Sequence, residues 1–357
     1  LAGQVDALVY LGHPLEPVDA EAVHGPLDLL RALHASRLRC PRLLLCATYA
    51  DAIGRCHAES WIGIERTLRV IQPDMACAVM ISDAGAKGGQ AWKTAFPAMI
   101  GELFASELRN TCHAGDVRYV SSVADADVST NDVFDGRGRT FLITGGVGAL
   151  GMRFAAHLSR AGAEHVVLAG RRPHEADVAA RLAALQRAGH RVDYLSMDVA
   201  DTAQVEQGVR QIRARFGGLH GVIHAAGIEA RGTLFDRSAA QAREVMRPKV
   251  QGTLVLDEVL RGGDEKAFLC CFASAAATLG DFGSFDYAVA NRFQMAYAEH
   301  LGVSDRRLSS IGWPFWNGEG MGSDDDPQRT RLYLEGAGMR ALGDVSGMAT
   351  FDRLETA

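Results

Sequence analysis

Three glycines at the spacing G-x-G-x-x-G, Gly146, Gly148 and Gly151 in ITGGVGALG, stand between an apolar run (Phe141–Ile143) and a segment of helical period. Small residues at such a corner let the backbone approach a pyrophosphate held at a helix N-terminus, so the whole turn, Thr144, Gly145, Gly146, Val147, Gly148, Ala149, Leu150 and Gly151, is a dinucleotide-binding candidate. In a chain with 39 Gly, a turn of purely structural purpose is the alternative. Twenty residues past Gly151, the run HVVLAG is followed by Arg171 and Arg172, where folds that select NAD carry Asp or Glu for the ribose hydroxyls. Two guanidiniums there favour the 2′-phosphate of NADP, and a solvated Arg pair on a loop is the competing reading. Further strand ends follow in order: Asp198 and Val199 after RVDYLSM, then Ala225, Ala226 and Gly227 closing GVIHAAG. Asp198 suits the adenine amine and the small residues leave room for ribose and nicotinamide, though each also fits an ordinary strand terminus.

A second group of polar residues lies further along. Ser274 ends FAS, Tyr287 follows thirteen residues later in YAVAN, and Asn291 comes one helical turn after it on the same face. Lys249 lies upstream in RPKVQGT, on the preceding helix. Singly, these four read as a strand-end hydroxyl, a half-buried aromatic, a helix-surface amide and a solvated lysine; together they are a reactive constellation.

Elements of the α/β kind must position both groups. The first half alternates β-rich runs with helical periods: VDALVYL, LDLLRALHA, RLLLCAT, ESWIGIERTLRVI, ACAVMIS, WKTAFPAMIGELFAS and VRYVSSV. A polar stretch from Ala124 to Arg139 interrupts the series, which then restarts at TFLIT and runs through five more strands, AFLCCFA and LSSIGW among the later ones. Such a series predicts parallel sheets in two doubly wound, Rossmann-like halves, of which only the second carries a phosphate-binding turn. The first strand is followed instead by GHP.

The 357 residues exceed the usual range of a single core. With 48% hydrophobic and 22% charged residues the chain reads as globular, and a net charge of −6 gives no general attraction to nucleic acid or an anionic membrane. The seven cysteines lack C-x-x-C pairing and read as reduced core residues of a cytoplasmic protein. No stretch approaches twenty uninterrupted apolar residues. The absence of an initiator Met suggests a piece of a longer polypeptide.

TGGVGALG (Thr144–Gly151), the Ser274-to-Tyr287 spacing, and a Tyr-x-x-x-Asn helix with its lysine displaced to position 249 resemble the short-chain dehydrogenase/reductase superfamily. Within it they resemble the ketoreductase domains of modular polyketide synthases, for ordinary members carry Tyr-x-x-x-Lys. The first half, ending in RYV, is similar to the truncated structural subdomain of those domains, and Ser309–Met321 to the segment leading into their mobile lid helix. The resemblance implies an α/β fold of two doubly wound Rossmann-like subdomains, the first (1–137) truncated and structural, the second (138–357) catalytic and NADPH-binding.

It also implies an activity: NADPH-dependent reduction of a β-ketoacyl thioester presented by an acyl carrier protein on its phosphopantetheine arm, beside neighbouring synthase domains and without metal, nucleic acid or membrane. Tyr287 and Ser274 would serve the developing alkoxide, Lys249 would lower the phenol's pKa, and Asn291 would help hold the lysine and a proton-relay water. Two stereochemical fingerprints of the family are missing: Glu229-Ala230-Arg231 replaces Leu-Asp-Asp, and Leu279 replaces a Trp eight residues before the tyrosine. The missing Asp leans toward an L-alcohol product. Phe285–Asn291 (FDYAVAN) resembles assembly lines served by a separate acyltransferase. A catalytically silent or epimerising ketoreductase-like scaffold is the alternative.

Overall fold

The computed structural model describes residues 4–12, 24–84, 91–125, 134–228, 234–263, 266–282, 284–302, 308–318 and 327–356. Strands β1 (Leu8–Leu11), β2 (Arg42–Tyr49), β3 (Ala76–Asp83), β4 (Thr111–Ala114) and β5 (Val117–Val120) form one sheet in the order β1-β2-β3-β4-β5. Its first four strands are parallel, and β2 and β3 are near-continuous apolar runs buried along most of their length, as strands covered on both faces must be. These strands follow chain order without the reversal that opens a ligand crevice in a doubly wound sheet, so this half is a truncated version of the fold.

Two features of this half depart from the periodicity. The single helix expected over ESWIGIERTLRVI is two, α2 (Ala52–Ser60) and α3 (Ile62–Ile71), which meet at the buried Trp61. The first begins earlier than expected because Asp51 caps it, its carboxylate accepting the Gly54 N–H at 2.7 Å. Only one strand was expected near VRYVSSV, yet β4 pairs with β5 antiparallel across a turn in which Gly115 has φ +58°. Helices α1 (His24–Ser36) and α4 (Ala91–Leu103) complete the connections.

The second sheet contains β6 (Thr140–Thr144), β7 (His165–Gly170), β8 (Val192–Ser196), β9 (Gly221–His224), β10 (Phe268–Ser274) and β11 (Leu308–Trp313), all parallel, in the order β11-β10-β9-β6-β7-β8. The chain starts in the middle at β6, winds outward to β8 and returns to β9 on the other side, placing the switch point between β6 and β9. The helices are α5 (Ala149–Arg160), α6 (Ala176–Arg187), α7 (Thr202–Phe216), α8 (Ala239–Arg261), α9 (Ala276–Leu279), α10 (Phe285–Leu301), α11 (Pro327–Gly336) and α12 (Asp344–Thr356). Strand alternation sends Phe141, Ile143, Phe272 and Trp313 into one core with Phe154 and Phe351, and Leu142, Val222, Leu269 and Cys271 into another with Leu256.

Packing groups the chain into two compact units: Leu1–Ala124 with Ala230–Met246 and Ala275–Leu301, and Asp125–Glu229 with Arg247–Ser274 and Gly302–Ala357. All strands of the first sheet precede position 137 and all of the second follow it, whereas the units interleave. Helix α10 packs on α2 and α3, and so joins the helices of the first half. All seven cysteines are buried free thiols.

Candidate active site

In the second unit the carboxyl ends of the parallel strands bring the sequence-predicted nucleotide residues to one edge. Thr144 ends β6, Arg171 and Arg172 follow β7, Asp198 and Val199 follow β8, and Ala225, Ala226 and Gly227 follow β9. The glycine turn is packed backbone against backbone. Gly145 has φ +68°, and a Cβ there would lie 2.8 Å from Ala225 O and from Ala226 N. A Cβ on Gly151 would meet Gly146 Cα at 2.6 Å, which seats α5 close against β6. Gly148 differs, for it is exposed and the nearest atom to its absent Cβ is Gly145 O at 3.1 Å.

Gly148 is also the N-cap of α5, and no side chain hydrogen-bonds to that end of the helix. An uncapped helix start with its amides facing an open glycine is an anion cradle, so these residues fit a dinucleotide pyrophosphate. The loop after β7 is held by Tyr194, whose hydroxyl lies 2.6 Å from Arg172 O and 3.0 Å from Gly170 O. Both arginines are exposed; Arg172 pairs with Asp177 at 2.7 Å, while Arg171 is close enough to Asp198 to act on its charge.

Asp198 accepts the Ala200 N–H at Oδ1 (3.0 Å) and Arg247 Nη1 at Oδ2 (2.6 Å). Burial works to raise its pKa, but the Arg247 and Ala200 hydrogen bonds overcome that and hold the carboxyl below its usual range. Sequence reasoning missed Arg247, although it stands two residues before Lys249 in the same RPK motif. His224, at the end of β9, was missed as well. It is fully buried, its Nδ1 is 2.7 Å from Thr144 Oγ1, and desolvation, with the nearby Lys249 charge, pulls its pKa to about 3, so the ring is neutral.

Lys249 is 2% exposed, and its Nζ donates to Phe272 O at 2.6 Å, two residues before Ser274. Desolvation brings the amine down to about 8. The helix α8 that carries it contains Pro248. Lys249 and Ser274 are thus held in one unit with the nucleotide edge.

Tyr287 and Asn291 belong to the other unit, one turn apart on α10. Asn291 Nδ2 donates to Tyr287 O at 2.7 Å, which fixes the amide's orientation, and its Oδ1 is buried with no hydrogen-bond partner among the described residues. Two features hold α10. Gly63 of α3 touches it so closely that a Cβ would lie 2.6 Å from Val289 N, between the tyrosine and the asparagine. Glu59 of α2, nearly buried, accepts His300 Nε2 at 2.6 Å and Arg292 Nη2 at 3.3 Å from α10, together with Arg55 Nε at 3.2 Å. Burial raises the Glu59 pKa, and the His300 hydrogen bond and the cations more than reverse this, so it remains a carboxylate. Residues 229–231, one of the two stereochemical fingerprints, lie outside the described residues; Leu279, the other, ends α9 and is about half exposed.

A doubly wound parallel sheet with an uncapped glycine turn at its switch point and a cationic loop after its second strand is the architecture of a Rossmann-type domain able to hold a dinucleotide. The family model described as "KR domain" matches residues 139–318, and the chain belongs to that family, the ketoreductase domains of polyketide synthases. It is 34% identical over 354 residues, 99% of its own length, to polyketide synthase PksM of Bacillus subtilis (strain 168), and 34% identical over 361 residues to polyketide synthase ThaG of Burkholderia thailandensis. The chain spans only 8% and 6% of those relatives. Among solved structures it is similar to a ketoreductase domain from the bacillaene assembly line, with a TM-score of 0.78 and 26% identity over 94% of this chain and 81% of that one. Ketoreductase domains of this superfamily bind a nicotinamide cofactor. Among the described residues no helix is long and apolar enough to cross a membrane.

Proposed function

We propose that the chain uses NADPH to reduce a β-ketoacyl thioester, held on the phosphopantetheine arm of an acyl carrier protein, to the β-hydroxyacyl thioester. It would do so in the cytoplasm, beside the other domains of a synthase. The observation that carries this reading is Lys249: a lysine kept in the interior with its pKa pulled down to about 8 destabilises a fold, and such groups collect where chemistry needs them. In this reading residues 1–137 are a structural subdomain and residues 138–357 contain every reacting side chain.

The turn Thr144–Gly151 would hold the pyrophosphate, Arg171 and Arg172 the 2′-phosphate, Asp198 and Val199 the adenine, and Ala225–Gly227 the ribose and nicotinamide. Bound NADPH supplies a hydride to the ketone carbon. Negative charge then grows on the carbonyl oxygen, where the Ser274 hydroxyl donates a hydrogen bond and the Tyr287 phenol gives up its proton. The Lys249 cation lowers the phenol's pKa from about 10 and so eases that transfer. Asn291 Oδ1, a buried acceptor with no partner among the described residues, suits a water that returns a proton to the tyrosine.

The test is turnover of a simple β-ketoacyl thioester followed by NADPH absorbance. NADPH should be preferred over NADH, and Tyr287→Phe should lower kcat by about 10²- to 10⁴-fold. Absence of turnover over a varied thioester panel, despite NADPH binding, would instead establish a silent or epimerising domain. Chiral analysis should find the L-alcohol, and D-product alone would overturn that assignment.

A further inference from the structure

Arg237 and Asp286 form a buried charge pair at the start of the tyrosine helix that the chemistry above does not use. Asp286 is fully buried and Arg237 is 7% exposed, with Nε 3.1 Å from Asp286 Oδ2. Among the described residues neither of those atoms, nor Arg237 Nη2, has a hydrogen-bond partner, so the contact is a charge pair rather than a directed bond. The other carboxylate oxygen, Oδ1, accepts the backbone N–H of Tyr287 at 2.9 Å. Both residues belong to the same unit as α10.

A pair so placed is weak evidence for a stabilising role, because desolvating two ions offsets most of their attraction, and apolar replacements often fold as well or better. Burial indeed lifts the Asp286 carboxyl to about 6 in spite of Arg237, with Asp281 adding to the upward push. The pair does have one directional consequence. One oxygen is drawn to the guanidinium while the other grips the peptide N–H of the residue that bears the phenol.

We propose that Arg237 and Asp286 are positioning residues for Tyr287: the charge contact fixes the Asp286 carboxylate, which fixes the first turn of α10 and with it the direction of the phenol. This rests on the ketoreductase reading. Without the pair the turn would still form, since the rest of α10 packs on α2 and α3, but the phenol would sample a wider range, at a loss of rate rather than of binding.

The experiment compares the wild-type chain with Arg237→Lys, Arg237→Met, Asp286→Asn and the double variant Arg237→Met/Asp286→Asn, reading Tm, kcat, KM for NADPH and thioester, and hydrogen exchange over Phe285–Ala290. Arg237→Met removes the cation that keeps the buried Asp286 carboxyl in its charged form and should lower Tm by about 10 °C. The double variant retains the acceptor for the Tyr287 N–H and leaves no lone ion, so Tm should recover. Its kcat should stay at least tenfold down, with both KM values within about twofold and exchange over Phe285–Ala290 faster, as expected of lost orientation. Arg237→Lys should regain part of kcat. A double variant that recovers wild-type kcat and exchange together with Tm would overturn the proposal and leave the pair purely structural. A wild-type chain without turnover would overturn the ketoreductase reading instead, and the exchange measurement would then decide the pair by itself.

Discussion

Gly63→Ala should impair catalysis although residue 63 touches no reacting group. An alanine in a helix is ordinarily favoured over glycine by about 1 kcal/mol. At Gly63 the added Cβ would stand 2.6 Å from Val289 N, 2.7 Å from Ala288 C and 2.8 Å from Val289 Cα, and all three are backbone atoms that no rotamer change can move. Opening the shortest of these to the 3.4 Å of ordinary contact requires α3 and α10 to part by about 0.8 Å. Overpacking of that kind destabilises by about 1–3 kcal/mol, more than the propensity gain returns. The displacement falls on the turn between Tyr287 and Asn291, and a misplacement near 1 Å lowers rates by up to about a hundredfold. Thioester reduction at saturating NADPH gives kcat, and thermal unfolding gives the stability loss. Gly101→Ala on α4 is the control, because its Cβ would meet nothing within 4 Å. A Gly63→Ala chain with kcat within twofold of wild type and an unchanged Tm would refute the reasoning that α3 sets the position of α10.

Lys249 gives a pH-dependent signature. Its folded pKa of about 8 lies below the ordinary 10.5, so the unfolded chain holds the proton more tightly, and burying the cation destabilises the fold by about 3 kcal/mol below pH 8, a cost that fades as pH rises from 8 to 10.5. Lys249→Met should therefore raise urea stability at neutral pH, lose that gain toward pH 10.5, and abolish turnover; the same stability difference at both ends of the range would contradict the assignment. Arg171→Ala should raise KM for NADPH by about tenfold or more and leave KM for NADH nearly unchanged, because only the 2′-phosphate contact is lost. Steady-state kinetics with the two cofactors decides it, and an equal rise for both would place Arg171 elsewhere.

The legible residues are those whose local pattern carries their meaning. The turn Thr144–Gly151 combines a strand, closely spaced glycines and a helix start within one short segment, and the structure gives each glycine a separate reason: Gly145 for its positive φ and the approach of Ala225, Gly146 for its contact with Leu168 and Ile143 O, Gly151 for helix packing, Gly148 for an open face. The second sheet was legible from its apolar runs for the same reason. In the first half, β4 escaped because THR-CYS-HIS-ALA at Thr111–Ala114 is too short and mixed to show a period of two, and the α2/α3 break escaped because the apolar spacing passes through Trp61 without interruption.

What the sequence conceals is the source of order in the tyrosine helix. Asp286 and Arg237 read as charges at helix starts, where acids and bases are commonly solvated, and only tertiary packing makes both of them interior. Gly63 reads as a defect in a helix, and its use becomes visible only when a second helix, more than two hundred residues later in the chain, is laid against it. At short sequence range Glu59 pairs with Arg55, a link its helical spacing shows, yet it also receives Arg292 and His300 from α10. The proposed reacting groups are a matter of residue type and are written locally, whereas their orientation depends on contacts between segments far apart in sequence. Substitutions at Gly63, Glu59, Arg237 and Asp286 should therefore act on kcat without touching the groups that a sequence pattern identifies.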